Sequence, residues 1–194
     1  MARLPYPDLE SLPHDAAAAI AALPAPANVI TMIAHAPALV RPIVSSAVAM
    51  RTALRLPPRL RELIILMVAH ETECPYEWEM HLPQAKADGV MAEDLALVTD
   101  ASRVSADPAT QAVLTAARAY LRGEAWDDGT VAELNRYLSD REIVETVLLL
   151  GFVRMGTFMI NSLGIEPDHL GEAFTAAHRE GRFQGVGTPG RENP

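Results

Sequence analysis

A twelve-residue stretch from His70 to His81, with the sequence HETECPYEWEMH, concentrates the side chains of this chain that could do chemistry. It contains the chain's only cysteine, one of its two tryptophans, two of its six histidines and four glutamates. Thiols, carboxylates and imidazoles serve as nucleophiles and as general acids and bases. Because the stretch directly follows the apolar segment LRELIILMVA, these groups are expected to adjoin a buried helix.

The second half of the stretch predicts an amphipathic helix that begins at Pro75 and ends at Gly89, a favourable residue just past a helix C-terminus. At about 100° per residue, one face of this helix carries a thiol, a carboxylate, an indole and an imidazole, from Cys74, Glu77, Trp78 and His81. Cys74 is then the N-cap residue. The helix N-terminus favours the thiolate form of Cys74, whereas a neighbouring Glu77 carboxylate opposes it.

A purely structural interpretation of the same face stays open. In it, Glu77 caps the helix backbone and Cys74 is a small buried hydrophobe. Trp78 and His81 are then ordinary core residues. A zinc site is not predicted, because His70 and His81 form no metal-ligand spacing with a nearby His or Asp.

Glu62 is the polar exception in the preceding apolar helix, which is predicted from Arg59 to about Ala69. Two interpretations compete. Glu62 either lies in the exposed first turn beside a surface-facing Arg61, stabilised by the helix dipole, or it is buried with a partner. Buried carboxylates tend to have raised pKa values, which suits proton transfer. The position near the helix start favours the first interpretation.

The composition predicts an all-α domain. The chain has 194 residues, 49% of them hydrophobic, with abundant Ala and few alternating β-branched runs. A net charge of −9 without a basic stripe argues against a nucleic-acid partner. One cysteine excludes an internal disulfide framework, and the N-terminus lacks a signal-peptide pattern. No apolar run approaches the roughly 18 to 20 residues that cross a membrane, so a soluble, cytoplasmic protein is expected.

The predicted organisation is one all-α domain over residues 1–180, followed by a tail at 181–194 that is flexible or packed on a neighbouring subunit. The segment RELIILMVA at Arg61 is echoed by REIVETVLL at Arg141, in a long helix expected to be mostly buried. This register places Asn161 opposite His81 and suggests a duplicated helical hairpin. Chance similarity between Leu-rich helices is the alternative.

The spacing Glu62, eleven residues, Cys74, two residues, Glu77, three residues, His81 resembles the carboxymuconolactone decarboxylase / alkylhydroperoxidase D-like family, in a longer YEW…H, single-cysteine sub-branch. The segments NVITMIAHAPAL, LPPRLRELIIL and CPYEWEMHLPQAKADGV extend the resemblance over most of residues 28 to 170. It implies an all-α, alkylhydroperoxidase D-like fold in which the two motif helices form a hairpin. It also implies a homo-oligomer, as a dimer, trimer or hexamer.

The departures from the family pattern bear on the reaction. The peroxidase branch carries Cys-x-x-Cys followed three residues later by His, whereas this chain has Glu77 at the second cysteine position and Tyr76 where that branch has a histidine. Without a resolving thiol, an internal dithiol–disulfide cycle cannot close. A one-cysteine peroxidase that uses Cys74 and an external thiol stays as the alternative function.

The decarboxylase branch needs no cofactor and no cysteine. The resemblance implies that His81 is the acid/base, that Glu62 orients it or shares its proton, and that Tyr76 or Trp78 shapes the pocket. Further candidates are Cys74 and Glu77 for catalysis and His70 and Asn161 for substrate binding. The leading hypothesis is a lyase-type enzyme without cofactor or metal, whose partner is a small carboxylic acid or lactone and which binds no nucleic acid or membrane. The third hypothesis for the function is a non-catalytic helical oligomer.

Overall fold

Prolines begin several helices of this chain, because the first helical residue needs no partner for its backbone N–H. Pro37, Pro58, Pro75 and Pro108 all occupy this position. The computed structural model describes residues 1–183. Its α-helices are α1 (His14–Ala21), α2 (Asn28–Ile33), α3 (Pro37–Thr52), α4 (Pro58–Glu71), α5 (Pro75–Ala87), α6 (Ala92–Thr99), α7 (Pro108–Leu121), α8 (Asp128–Leu134), α9 (Asp140–Leu163) and α10 (Gly171–Arg179).

The fold is all-α, as predicted: residues 1–183 contain helices, a 3-10 turn at Leu9–Ser11 and connecting loops, with no strand among them. The chain forms two compact units. One consists of residues 1–53 together with residues 163–183, and the other is Leu54–Ser162. In the first unit α1 packs on α3, and the start of α2 is held by a hydrogen bond from the Asn28 N–H to Asp168 (2.7 Å).

In the second unit α4 is the central helix, in contact with α5, α6 and α7. Every residue of α4 from Leu60 to Ala69 is buried, so the helix has no solvent-facing side over nearly three turns. Such a helix can carry a charged residue only with a partner nearby. The single domain over 1–180 stays a prediction, and most of the predicted tail at 181–194 lies outside the described residues.

Helix α9 differs from the prediction in two respects. It runs without interruption from Asp140 to Leu163, so the α4–α5 hairpin is not duplicated there. The chain turns after α4 because Glu73 adopts a left-handed backbone conformation (φ 49°) ahead of Pro75. The matching positions of α9 continue the helix. Nor is α9 mostly buried, since its buried residues are limited to Ile143, Glu145, Thr146, Leu149, Leu150, Val153, Thr157 and Ile160.

By length and composition alone, α9 would suffice to cross a membrane, which corrects the expectation that no segment could. Within the most apolar part of the helix, 44% of the residues are buried in the protein. Core helices of soluble proteins pass the same test.

Candidate active site in the α4–α5 hairpin

The turn between α4 and α5 brings the two motif helices side by side. Cys74 is the N-cap residue of α5, as predicted, and its N–H donates to the Ala69 carbonyl at 2.9 Å. At the other end, Gly89 takes a positive φ of 90°, and the Val90 N–H closes the helix onto the Ala85 carbonyl at 2.9 Å. These two ends fix the angular position of every residue of α5 between them.

Glu62 is buried, with 1% of its residue surface exposed, and it faces α5. Its Oε2 lies 2.9 Å from Nδ1 of His81, and its Oε1 accepts a hydrogen bond from Nε of Arg61 at 2.9 Å. The prediction that favoured an exposed first-turn glutamate is therefore wrong, since Glu62 lies in the second turn of a fully enclosed helix.

Arg61 is buried too, with 5% of its surface exposed, which corrects the surface-facing position expected for it. Its NH2 nitrogen lies 2.6 Å from Oδ2 of Asp88, the C-cap residue of α5. One guanidinium thus bridges two carboxylates from two helices and offsets one of their two negative charges. Arginine suits such a buried bridge because its planar guanidinium presents several donors in a fixed arrangement.

His81 lies between two carboxylates. Opposite the bond from Nδ1 to Glu62, its Nε2 is 3.5 Å from Oε1 of Glu77, one turn earlier in α5. The side chains of His81 and Glu77 keep 18% and 17% of their surface exposed, whereas that of Glu62 keeps 1%. An imidazole with both nitrogens next to carboxylates can take a proton on one side and release it on the other. We refer to Glu77, His81, Glu62, Arg61 and Asp88 as the charged row.

Cys74 is buried, with 1% of its surface exposed. Burial raises the pKa of its thiol to about 11, and the negative charge of Glu77 adds to this, although backbone N–H groups at the start of α5 act in the opposite direction. The thiol therefore stays protonated at neutral pH. Of the two opposing influences predicted from the sequence, the hydrogen bond from the start of α5 is the larger, but burial outweighs it and keeps the pKa of the thiol high.

A cavity of about 480 Å³ opens at the α4–α5 turn, lined by Ala69, His70, Glu71, Glu73, Cys74, Pro75 and Trp78. The rings of His70 and Trp78 lie 6.4 Å apart at 57°. Two of the predicted substrate-binding residues, His70 and Trp78, thus line a cavity. Tyr76 is buried (2% exposed) and is not part of its lining. Glu62, Glu77 and His81 are not part of the lining either, although Glu77 is next to Trp78 in the first turn of α5.

Asn161, predicted opposite His81, instead lies at the end of α9 beside the same turn. Its Nδ2 donates to the Thr72 carbonyl at 2.6 Å. Within residues 1–183 no cluster of three or more His, Cys, Asp or Glu side chains is placed to hold a metal ion.

Comparison with known proteins agrees with this geometry. Residues 44–119 match the family model for the Carboxymuconolactone decarboxylase family, a range that contains the whole motif from Glu62 to His81. The predicted family resemblance is confirmed. The longer YEW…H sub-branch stays a prediction. No curated protein matches the chain in sequence.

The fold also matches a solved structure. It is that of an alkylhydroperoxidase AhpD core, an uncharacterised peroxidase-related protein from Ralstonia eutropha JMP134, with a TM-score of 0.72. The two chains are 19% identical, and the match covers 89% of this chain and 94% of the other. At this identity the likeness confirms the helical fold and carries no activity across.

Sequence reasoning did not find the roles of Arg61 and Asp88. They are 27 residues apart on different helices, so no periodicity within one helix links them. The sequence carries one signal for Arg61. Apolar residues lie on all sides of α4, so a charged residue within this helix is expected to be buried with a partner.

Proposed function

We propose that this chain is a cofactor-free acid–base enzyme of the carboxymuconolactone decarboxylase-like type that acts on a small carboxylic acid or lactone. The reaction would be a decarboxylation, an isomerisation or a related lyase step. The observation that carries the proposal is the His81 imidazole held between a buried carboxylate at 2.9 Å and a partly exposed one at 3.5 Å. This arrangement suits repeated proton transfer.

The roles follow from exposure. His81 and Glu77 form the acid–base pair, because both keep surface that a substrate or water can reach. Glu62 is a positioning residue: it holds Nδ1 of His81 and is itself fixed by Arg61. With one oxygen held by Arg61 and the other against Nδ1 of His81, Glu62 keeps the imidazole in one orientation.

In the decarboxylation, the bond between the carboxyl carbon and its neighbour breaks, and its electron pair moves into a delocalised enolate as CO2 leaves. A proton from the protonated His81–Glu77 pair then goes to carbon. The pair regains this proton from water. In the isomerisation, the same pair removes a proton from one carbon and returns it to another, so no oxidant or reductant is consumed.

The cavity at the α4–α5 turn is the substrate site in this proposal. Trp78 and Pro75 offer apolar surface to a small ring, and His70 offers a polar contact to a carboxylate. Because the cavity and Glu77 share the first turn of α5, the reacting carbon can approach the charged row from this side.

A second candidate function is a thiol-dependent peroxidase, favoured by one observation: Cys74 lines the cavity. Its thiolate would attack the hydroperoxide O–O bond, releasing an alcohol and leaving a sulfenic acid that an external thiol reduces. The pKa of about 11 opposes this, because little thiolate forms at neutral pH.

The test is a screen of small carboxylated lactones and unsaturated acids in deuterated water, read by NMR for CO2 loss and for deuterium at carbon. We expect turnover that His81→Ala abolishes, that Glu62→Gln lowers by about 10²- to 10⁴-fold and that Cys74→Ser leaves intact. Glu145→Gln is the matched control, a buried glutamate outside the charged row.

A parallel assay offers an alkyl hydroperoxide with excess dithiothreitol. Peroxide turnover that disappears in Cys74→Ser would replace the acid–base proposal by the peroxidase. Equal activity of the His81, Glu62 and Cys74 variants on a lactone or acid would show that the charged row is structural.

A further inference from the structure

The cavity at the α4–α5 turn has a negatively charged lining. Its lining residues all lie between positions 69 and 78 of the described chain, and they include two glutamates, Glu71 and Glu73, but no lysine or arginine. With histidine counted as neutral, the lining therefore has a formal charge of −2. Both glutamates are exposed, so their carboxylates face the same solvent-filled space that a ligand would enter.

The charged row does not compensate for this charge. Its guanidinium, that of Arg61, is bound by Glu62 at 2.9 Å and by Asp88 at 2.6 Å. The row has three carboxylates, those of Glu62, Glu77 and Asp88, against this one guanidinium. A substrate carboxylate beside the row would therefore add to an excess of negative charge.

Arg122 is a cation that interacts with Glu71, but it is already paired. Its Nε and Nη2 groups both donate to the Glu124 carboxylate, at 2.7 Å each. The hydrogen bonds to Glu124, and to a smaller extent the charge of Glu71, raise the pKa of Arg122. Arg122 is not among the residues that line the cavity.

The size of the cavity makes the charge of its lining effective. A sphere of 480 Å³ is about 10 Å across, which is about one Debye length at physiological salt. Every atom of a bound ligand thus lies within the field of both carboxylates. At this range each carboxylate weakens the binding of an anion by about two- to threefold, so the two together weaken it by about four- to tenfold.

An uncharged ring with a carbonyl group suits the same lining. Trp78 and Pro75 offer apolar surface to the ring. The indole of Trp78 and the imidazole of His70 are side chains that donate hydrogen bonds, and an ester carbonyl accepts them without bringing a net charge.

We propose that the substrate of this site is an uncharged lactone, and that Glu71 and Glu73 are specificity-determining residues that select against compounds with a free carboxylate. This inference rests on the proposed function, because it takes the same cavity as the substrate site. It narrows the reaction to an isomerisation, since a decarboxylation starts from a carboxylate.

The isomerisation of an unsaturated lactone balances without a further reactant. The C–H bond next to the lactone carbonyl breaks, its proton goes to the His81–Glu77 pair, and its electron pair enters a dienolate. The pair then returns a proton to the far end of the dienolate, so the double bond has moved and no CO2 has left.

The first experiment compares two probes of nearly the same shape by isothermal titration calorimetry. One is γ-butyrolactone with a carboxamide on the ring, and the other is the same compound with a carboxylate. We expect the amide to bind about four- to tenfold more tightly at low salt, and this preference to shrink at high salt.

The double variant Glu71→Gln with Glu73→Gln should bring the two affinities within about twofold of each other. Glu93→Gln, at an exposed position in α6 that does not line the cavity, is the matched control and should keep the preference. A carboxylate that binds as tightly as the amide, or an amide that does not bind at millimolar concentration, overturns the proposal. So does a preference that the double variant keeps, because the two glutamates would then not cause it.

A second experiment separates this inference from the proposed function. α-Angelica lactone, an uncharged unsaturated lactone, is followed by NMR in deuterated water. We expect the double bond to move, with deuterium at the far carbon, faster than with His81→Ala. A rate no faster than with His81→Ala would contradict the acid–base function, whereas the amide preference would still show the charge selectivity. If a lactone with a carboxylate instead loses CO2 with the higher kcat/KM, the acid–base function stands and the uncharged substrate is overturned.

Discussion

Glu62 and Glu145 are both buried glutamates, on helices that share an Arg-Glu-apolar beginning, yet their partners differ. Oε2 of Glu145 accepts hydrogen bonds from the N–H groups of Arg55 (2.7 Å) and Leu56 (2.8 Å). Its Oε1 accepts from Arg141 at 2.7 Å. These donors are two backbone amides and a guanidinium, which do not serve as general acids or bases, so we assign Glu145 the role of fixing the loop that precedes α4.

Glu62 has an arginine on one oxygen as well, but on the other it has an imidazole. Imidazole is the side chain most often used for proton transfer, and His81 is partly exposed beside a second carboxylate, Glu77. The difference teaches that burial of a carboxylate is not itself evidence of a catalytic site. What counts is whether its partner can titrate and can be reached.

The largest expected effect is the difference in kcat/KM between variants of the two glutamates. On any substrate found in the screen, Glu62→Gln should lower kcat/KM by about 10²- to 10⁴-fold, because His81 loses the carboxylate that orients it. Glu145→Gln should leave kcat/KM unchanged once the folded fraction is taken into account. Similar losses in both variants, measured by steady-state kinetics, would contradict the distinction.

The next effect distinguishes the arginines that bind these two glutamates, Arg61 and Arg141, by their contribution to the free energy of unfolding. Arg61→Ala removes a side chain that is 6% exposed and leaves the carboxylates of Glu62 and Asp88 without their cation. We expect a loss of about 3 to 5 kcal/mol in the free energy of unfolding. Arg141→Ala removes a side chain that is 59% exposed, and the expected loss is at most about 1 kcal/mol. Urea unfolding followed by circular dichroism measures both, and equal losses would contradict the assignment.

A smaller effect is expected for Glu145 itself. Burial raises the pKa of its carboxyl, but the hydrogen bonds from Arg141, Leu56 and Arg55 outweigh this and hold the pKa below the ordinary value of 4.5. The stabilisation by this group is therefore complete above pH 4.5 and is lost as the pH falls through the lower folded-state pKa.

Glu145→Gln should accordingly cost about 2 kcal/mol at neutral pH, and the difference from the wild type should shrink in acid. Urea unfolding at a series of pH values measures this. Glu133→Gln, at an exposed position, is the matched control. A difference that stays constant down to acid pH would show that Glu145 acts by packing and not by its charge.

The smallest effect concerns the charged row and Cys74. Because the charge of Glu77 raises the pKa of Cys74, Glu77→Gln should speed alkylation of this thiol by about three- to tenfold at fixed pH. The reaction should still be slow, since burial is the larger cause. Glu145→Gln should not change the rate, as followed by mass spectrometry, and an unchanged rate in Glu77→Gln would argue that the two groups do not interact.

The α5 half of the site could be predicted from sequence because its determinants are local. Pro75 and Gly89 mark the ends of the helix, and 3.6-residue periodicity then places Glu77 and His81 on one face. The pairing of Glu62 with His81 came from the family resemblance, and the structure shows the contact at 2.9 Å.

The rest depends on contacts between elements. The hydrogen bond between Arg61 and Asp88 joins two helices. The pKa of the Cys74 thiol depends on how deeply the α4–α5 turn is buried. An apolar face of α9 looks the same in sequence whether it is buried or exposed. Periodicity identifies such a face but not its partner.

The position of Trp78 has a spectroscopic consequence. It lines the cavity beside His70, whereas the other tryptophan, Trp126, donates its indole N–H to the Ala116 carbonyl at 2.8 Å. A Trp126→Phe protein would therefore fluoresce from the cavity alone. Quenching or a wavelength shift of that emission would report ligand binding before any reaction is known, so candidate substrates can be sorted by affinity first and by turnover afterwards.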